Sequence, residues 1–167
     1  MRSLVVVIGD AALDVRAAPA EPIRPGGDVP ATIGMYPGGQ AANVAVRLAR
    51  QGVRVRLVTA LGDDAAGRAL ADGLAADGVQ VHRVNSGGPT SAVVVVSDAG
   101  GERTMLSQRT PIFDRPLDAA ALEGAGWQVV SGYALLESAA AVALTAVALR
   151  RAVLGCSLGA RDVERWT

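Results

Sequence analysis

Residues 36–52 read YPGGQAANVAVRLARQG, and the reading of the fold turns on them. Gly38 and Gly39 meet the start of a segment in which Ala42, Ala45, Val46 and Ala49 follow helical spacing, with Leu48 beside them. Gly52 is placed to end that helix. A helix that only packs needs neither a Gly-Gly start nor an asparagine, Asn43, on its first turn. A helix whose N-terminus faces a small polar ligand uses both. Its first N–H groups are unpaired, glycine lets the backbone come close, and an asparagine amide both donates and accepts hydrogen bonds.

Upstream, Leu4 to Ile8 is a continuous apolar run ending at Gly9, the mark of a strand buried on both faces. Residues 16–37 hold five prolines; they predict short edge strands or a flap, and no helix. Downstream, residues 53–61 predict a strand. Residues 62–78 predict a helix with Asp64 as its N-cap, a buried stripe of Ala66, Leu70 and Leu74, and Gly78 at its end. Residues 79–84 give the next strand. Strands alternating with helices predict an α/β fold, its sheet mostly parallel with right-handed crossovers.

TSAVVVVSDAGGERTMLSQ (90–108) breaks that rhythm and predicts a hairpin turning at Asp98-Ala99-Gly100-Gly101, a second piece of the flap. WQVVSGY (127–133) predicts another buried strand, and Glu137 to Arg151 an Ala-rich helix. After Arg151 the sequence AVLGCSLGARDVERWT predicts no element, so the last helix is expected to lack a following strand.

Composition excludes several classes. The 167 residues suit one domain with a core. Half are hydrophobic, and only 3% are aromatic, so Ala, Val and Leu must build that core. Sixteen basic residues balance sixteen acidic ones, which leaves no field of one sign for nucleic acid or an anionic membrane. No apolar stretch reaches the ~20 residues of a membrane span. The run in MRSLVVVIGD reads as a strand and not as a leader. A single cysteine, Cys156, fits a reducing compartment. A cytoplasmic protein is expected.

Several segments together resemble the N-terminal part of the ribokinase-like (PfkB) family of carbohydrate and nucleoside kinases. They are GDAALD (9–14), GGQAAN (38–43) with LARQG (48–52), and GDDAAG (62–67), supported by GERTM (101–105) and SGY (131–133). The resemblance covers residues 4 to about 150. It implies a ribokinase-like α/β core with a small β lid, here from segments at about 15–37 and 90–108. It implies ATP and Mg²⁺ as cofactors, phosphorylation of a hydroxyl on a sugar or nucleoside, and a possible homodimer through the lid. By this resemblance Asp14, Gly38, Gly39 and Asn43 bind substrate. Asp14 lies just past the first strand's C-terminal end, where open α/β sheets bind ligands. Glu137 and Arg103 are weaker candidates: Glu137 also suits a first helical turn, and Arg103 also suits an edge strand.

The catalytic part is expected elsewhere. The family's base and anion hole come largely from a C-terminal Gly-Ala-Gly-Asp segment, and LGARD (158–162) does not match it. No catalytic residue and no metal ligand is therefore assigned. The chain reads as an incomplete kinase domain whose ATP site is largely missing: a fragment, a product broken or frame-shifted near residue 152, or a natural short protein. Asp10 reads as a turn residue, Asp63-Asp64 as turn and cap, and His82 and Cys156 as structural. A dinucleotide-binding module fails because Ala11 and Asp14 stand where its fingerprint needs glycines. A non-catalytic protein that dimerises through the flap remains the alternative. Low aromatic content favours a sugar over a purine nucleoside; which sugar is left open.

Overall fold

The computed structural model describes residues 3–84, 87–112, 117–135 and 151–155. The chain opens with β1 (Leu4–Ile8), β2 (Ala12–Pro19), β3 (Ala31–Gly38) and helix α1 (Gln40–Arg50). There follow β4 (Val55–Ala60), α2 (Ala65–Ala76), β5 (Val79–Val84), β6 (Ala92–Ser97) and β7 (Arg103–Gln108). The last described elements are α3 (Ala119–Leu122), β8 (Ala125–Ser131), α4 (Gly132–Leu135) and β9 (Ala152–Gly155).

Two sheets result. One has five strands in the order β5-β4-β1-β8-β9, and every neighbouring pair in it is parallel. The other has four strands in the order β3-β2-β6-β7, made from the Pro-rich segment and the hairpin that interrupted the α/β rhythm. Its β2–β3 and β6–β7 pairs are antiparallel and its central β2–β6 pair is parallel.

The parallel sheet is buried on both faces because its strands are apolar at successive positions. On one face Val7, Val55, Leu57 and Val79 pack under Ala41, Ala42 and Ala45 of α1 and Leu70 and Leu74 of α2. On the other, Leu4, Val6, Ile8, Val58 and Val130 pack with Leu117, Ala121 and Leu122. Alanine on α1 keeps that helix close to the sheet, as a core poor in aromatics requires.

Two local expectations need correction. The buried stripe of α2 begins at Gly67 and continues through Leu70 and Leu74; Ala66 is only half-buried. Chain geometry after Arg151 also differs from expectation. Ala152 to Gly155 form β9, pairing Gln128 with Ala152 through Ser131 with Gly155. Four residues carry too little periodicity to mark a strand, but the edge of β8 supplies the backbone partners that make one. The helix expected from Glu137, and Glu137 itself, lie outside the described residues.

Candidate functional site

At the C-terminal end of β1 the chain leaves the parallel sheet and enters the four-stranded one. A cavity of about 210 Å³ lies at that passage, lined among others by Asp10, Asp14, Gly39, Asn43, Arg109 and Tyr133. A larger space, about 460 Å³, lies at the far tip of the four-stranded sheet beside Ile23 and Glu102, away from the ends of the parallel strands. Position favours the first, because open α/β sheets bind ligands beyond the carboxyl ends of their strands.

Asp14 is the third residue of β2, opposite Tyr36 of β3 and Val93 of β6. Its carboxylate has one ionic partner among the described residues, Arg16, at 3.6 Å, and the Arg16 side chain is 58% exposed. The guanidinium of Arg16 also lies over the Tyr36 ring, 4.8 Å from its centroid. A long, solvated ion pair of this kind holds a carboxylate weakly, so Asp14 retains acceptor capacity toward the cavity.

Gly38 and Gly39 have separate reasons to be glycine. A Cβ on Gly38 would stand 2.2 Å from Asp14 Oδ1, so the carboxylate occupies the space a side chain would fill. Gly39 has φ of +101°, and a Cβ there would stand 2.5 Å from the Asp10 carbonyl oxygen. The Gly-Gly corner thus lets β1, β2 and α1 meet at backbone distance. Gly39 also lines the cavity.

Gly39 is the N-cap of α1 and offers no side chain to the first turn. Asp10 takes that role from 30 residues upstream: its Oδ2 accepts from the Gln40 N–H at 2.7 Å. Its Oδ1 accepts from Ala41 N–H at 3.4 Å and from the Ser131 hydroxyl at 2.8 Å. Asp10 is therefore more than the turn residue that Gly-Asp suggests. Asn43 closes that first turn, its N–H donating to the Gly39 carbonyl, and its side chain is exposed to the cavity and has no hydrogen-bond partner among the described residues.

The basic residue on the cavity is Arg109, just past β7. Its guanidinium lies over Tyr133, 4.2 Å from the ring centroid, in cation–π geometry. Arg103 pairs with Ser97 at the opposite end of the same hairpin and does not line the cavity, although alternation places it on the sheet face that carries Asp14. Arg109 and Tyr133 were not singled out in the sequence. The signal was present in the residues flanking β7 and in SGY, but only the hairpin register brings the two together.

The GDDAAG segment ties the two sheets. Asp64 caps α2, accepting from Gly67 N–H at 2.7 Å. The same carboxylate accepts from the Thr90 N–H at 2.8 Å and the Thr90 hydroxyl at 2.6 Å, just before β6. These bonds, with those to Thr90 foremost, lower the Asp64 pKa to about 2. Asp63 pairs with Arg83 at 2.9 Å, and the Asp63 side chain is 88% exposed.

The sequence pattern of the family described as pfkB family carbohydrate kinase matches residues 2–158. The chain belongs to this family. A fructokinase of Klebsiella pneumoniae is 34% identical over 140 residues, covering 81% of this chain and 42% of that protein. Fructokinase-2 of Solanum habrochaites is 41% identical over 88 residues, covering 52% of this chain and 27% of that one. The chain thus spans less than half the length of these PfkB relatives.

Solved structures of the family share the fold. The fructokinase of Xylella fastidiosa superposes with a TM-score of 0.76 at 24% identity, over 97% of this chain and 53% of that one. The ribokinase of Arabidopsis thaliana, complexed with ribose and ATP, gives a TM-score of 0.77 at 23% identity, over 94% and 54%. The α/β ribokinase-like architecture expected from the GGQAAN and GDDAAG segments is the architecture observed. Among the described residues no helix is long and apolar enough to cross a membrane.

Proposed function

We propose that the chain is the acceptor-binding part of a PfkB-type sugar kinase. In this reading the cavity holds a small sugar or sugar-like molecule, and the four-stranded sheet is the lid that closes over it. One hydroxyl of the bound sugar is presented for phosphorylation by ATP. The reading rests on one observation above the others. Asp14, held by a weak ion pair, and Asn43, whose side-chain amide has no hydrogen-bond partner among the described residues, line one cavity at the end of the central parallel strand.

Each residue then has a chemical role. The Asp14 carboxylate accepts from two neighbouring hydroxyls, which need a common acceptor. The Asn43 amide serves a third hydroxyl as donor and acceptor together. Arg109, steadied on Tyr133, offers planar donors from the lid side. Gly38 and Gly39 form the corner that lets the two carriers approach.

ATP and Mg²⁺ belong to the whole protein. Among the described residues no three His, Cys, Asp or Glu side chains gather as a metal site. Of the two carboxylates on the cavity, Asp10 is engaged with α1 and Asp14 faces the sugar. The described residues do not fit a metal-bound triphosphate, so no phosphoryl-transfer step is assigned to them. This chain alone is expected to bind sugar and not to turn over ATP. In this reading the reaction draws on the cytoplasmic ATP pool.

The outer face of the lid supports a homodimer. By alternation Val15, Ile33, Met35, Val94 and Leu106 share that face, and Ile33, Met35 and Leu106 are each more than 60% exposed. An apolar sheet face of this size marks an interaction surface. It equally favours the second reading, a non-catalytic dimeric binding protein of the same fold. Titration of the chain with D-fructose, D-ribose and adenosine tests the site. Saturable binding of either sugar supports the proposal. Binding of adenosine alone assigns a nucleoside, and binding of none of the three overturns the sugar site.

A further inference from the structure

The first turn of α1 is organised by one residue outside it. The N–H groups of Gln40 and Ala41 go to the Asp10 carboxylate. The N–H of Ala42 goes to the Asp10 carbonyl at 3.1 Å. Gly39 makes this possible, since any side chain there would strike that same carbonyl. The helix start and the end of β1 are therefore one unit.

Ser131, the last residue of β8, joins the unit to the next strand. Its hydroxyl lies 2.8 Å from Asp10 Oδ1 and 2.8 Å from Gln40 Oε1. One hydroxyl proton cannot serve two acceptors. The carboxylate is the stronger acceptor and takes it; exchanging the O and N of the Gln40 amide, which fill the same space, lets Nε2 donate to Ser131. The resulting chain runs from Gln40 to Ser131 to Asp10, with no polar group opposed to another.

Asp10, Gly39, Gln40 and Asn43 all line the cavity. We propose that Asp10 is a positioning residue for the sugar: it fixes the Gly38–Gly39 corner and the first turn of α1, so that Asn43 and Asp14 are presented to one ligand. This rests on the sugar-site reading above. Asp10 does not itself need to touch the sugar, because its carboxylate is already occupied by two backbone N–H groups and a hydroxyl.

The test measures D-fructose affinity of the full chain at a temperature where circular dichroism shows the fold intact. Asp10→Ala removes every side-chain acceptor and is expected to weaken binding by about tenfold or more. Asp10→Asn keeps an acceptor for the Gln40 N–H, asparagine being as good a cap as aspartate. It is expected to restore affinity to within about threefold of the parent. Amide NMR of Gln40, Ala41 and the Asn43 side chain is expected to shift in Asp10→Ala and to return in Asp10→Asn. If Asp10→Ala does not fold, Ser131→Ala removes the tether alone, with about threefold weaker binding and a shifted Asn43 side-chain signal expected. Parent affinity in Asp10→Ala, or in Ser131→Ala where that variant stands in, overturns the inference while leaving the sugar site standing. A parent chain that binds no fructose or ribose removes the sugar site and this inference with it.

Discussion

Gly38 makes room for a carboxylate. Its missing Cβ is the space in which Asp14 Oδ1 lies, 2.2 Å from where that atom would be. Gly38→Ala is therefore expected to displace the Asp14 carboxylate and weaken sugar binding by about tenfold or more, since hydrogen bonds to a charged group contribute about 1.5–3 kcal/mol. Calorimetric titration checks it. Arg109 and Arg103 give a second comparison at this scale. Arg109→Ala, on the cavity, is expected to weaken sugar binding by about tenfold, and Arg103→Ala to change it by less than about twofold. Equal effects of the two would remove Arg109 from the site. Gly39 and Asn43 could be singled out in the sequence because they stand at a helix start, and Asp14 because it follows the first strand in a segment that resembles the family's. Asp10 could not, because its partners lie 30 and 121 residues away and only the folded chain brings them together.

Among the elements, α2 and β6 are held by one carboxylate. Asp64 caps α2 and takes both donors of Thr90 at the root of the four-stranded sheet. Its folded pKa of about 2 lies below the 3.8 of an ordinary aspartate, so the charged form is favoured in the folded state. The stabilisation is complete above the unfolded pKa of about 4 and is lost as pH falls from about 4 to about 2. Thermal melts of the parent chain are expected to fall through that window. Asp64→Ala is expected to melt lower near pH 7, by the few degrees that about 1 kcal/mol represents, and to show a shallower fall in acid. An equally steep acid fall in the variant would remove Asp64 as its cause. Periodicity exposed most elements in the sequence, because strands of five or six apolar residues and helices of eleven or twelve hold it long enough. β9 escaped, since four residues carry too little pattern and its partner β8 supplies what its sequence does not.

In the whole molecule, the alternation of strands and helices announced a parallel sheet, and the interruptions at 16–37 and 90–108 announced a second structure. The order β5-β4-β1-β8-β9 was not legible, because strand order depends on which crossover packs on which face. The parallel pairing of β2 with β6 was equally hidden: both segments read as pieces of one flap, but nothing in their sequences says which strand of one meets which strand of the other. The outer face of the four-stranded sheet, proposed above as a dimer interface, yields a prediction at this scale. Leu106→Asp, at a position 65% exposed, is expected to convert a dimer to a monomer in light scattering without lowering the melting temperature. A parent chain that is already monomeric would remove the lid interface.

As the proposed sugar-binding part of a PfkB carbohydrate kinase, these residues depend most directly on the Asp14 carboxylate. The deciding measurement is the D-fructose affinity of the parent chain and of Asp14→Asn, taken side by side by calorimetry. Saturable binding by the parent, weakened by about tenfold or more in Asp14→Asn with an unchanged melting temperature, is the result predicted. Equal affinity in the two proteins, or no binding by the parent at millimolar fructose, would contradict it.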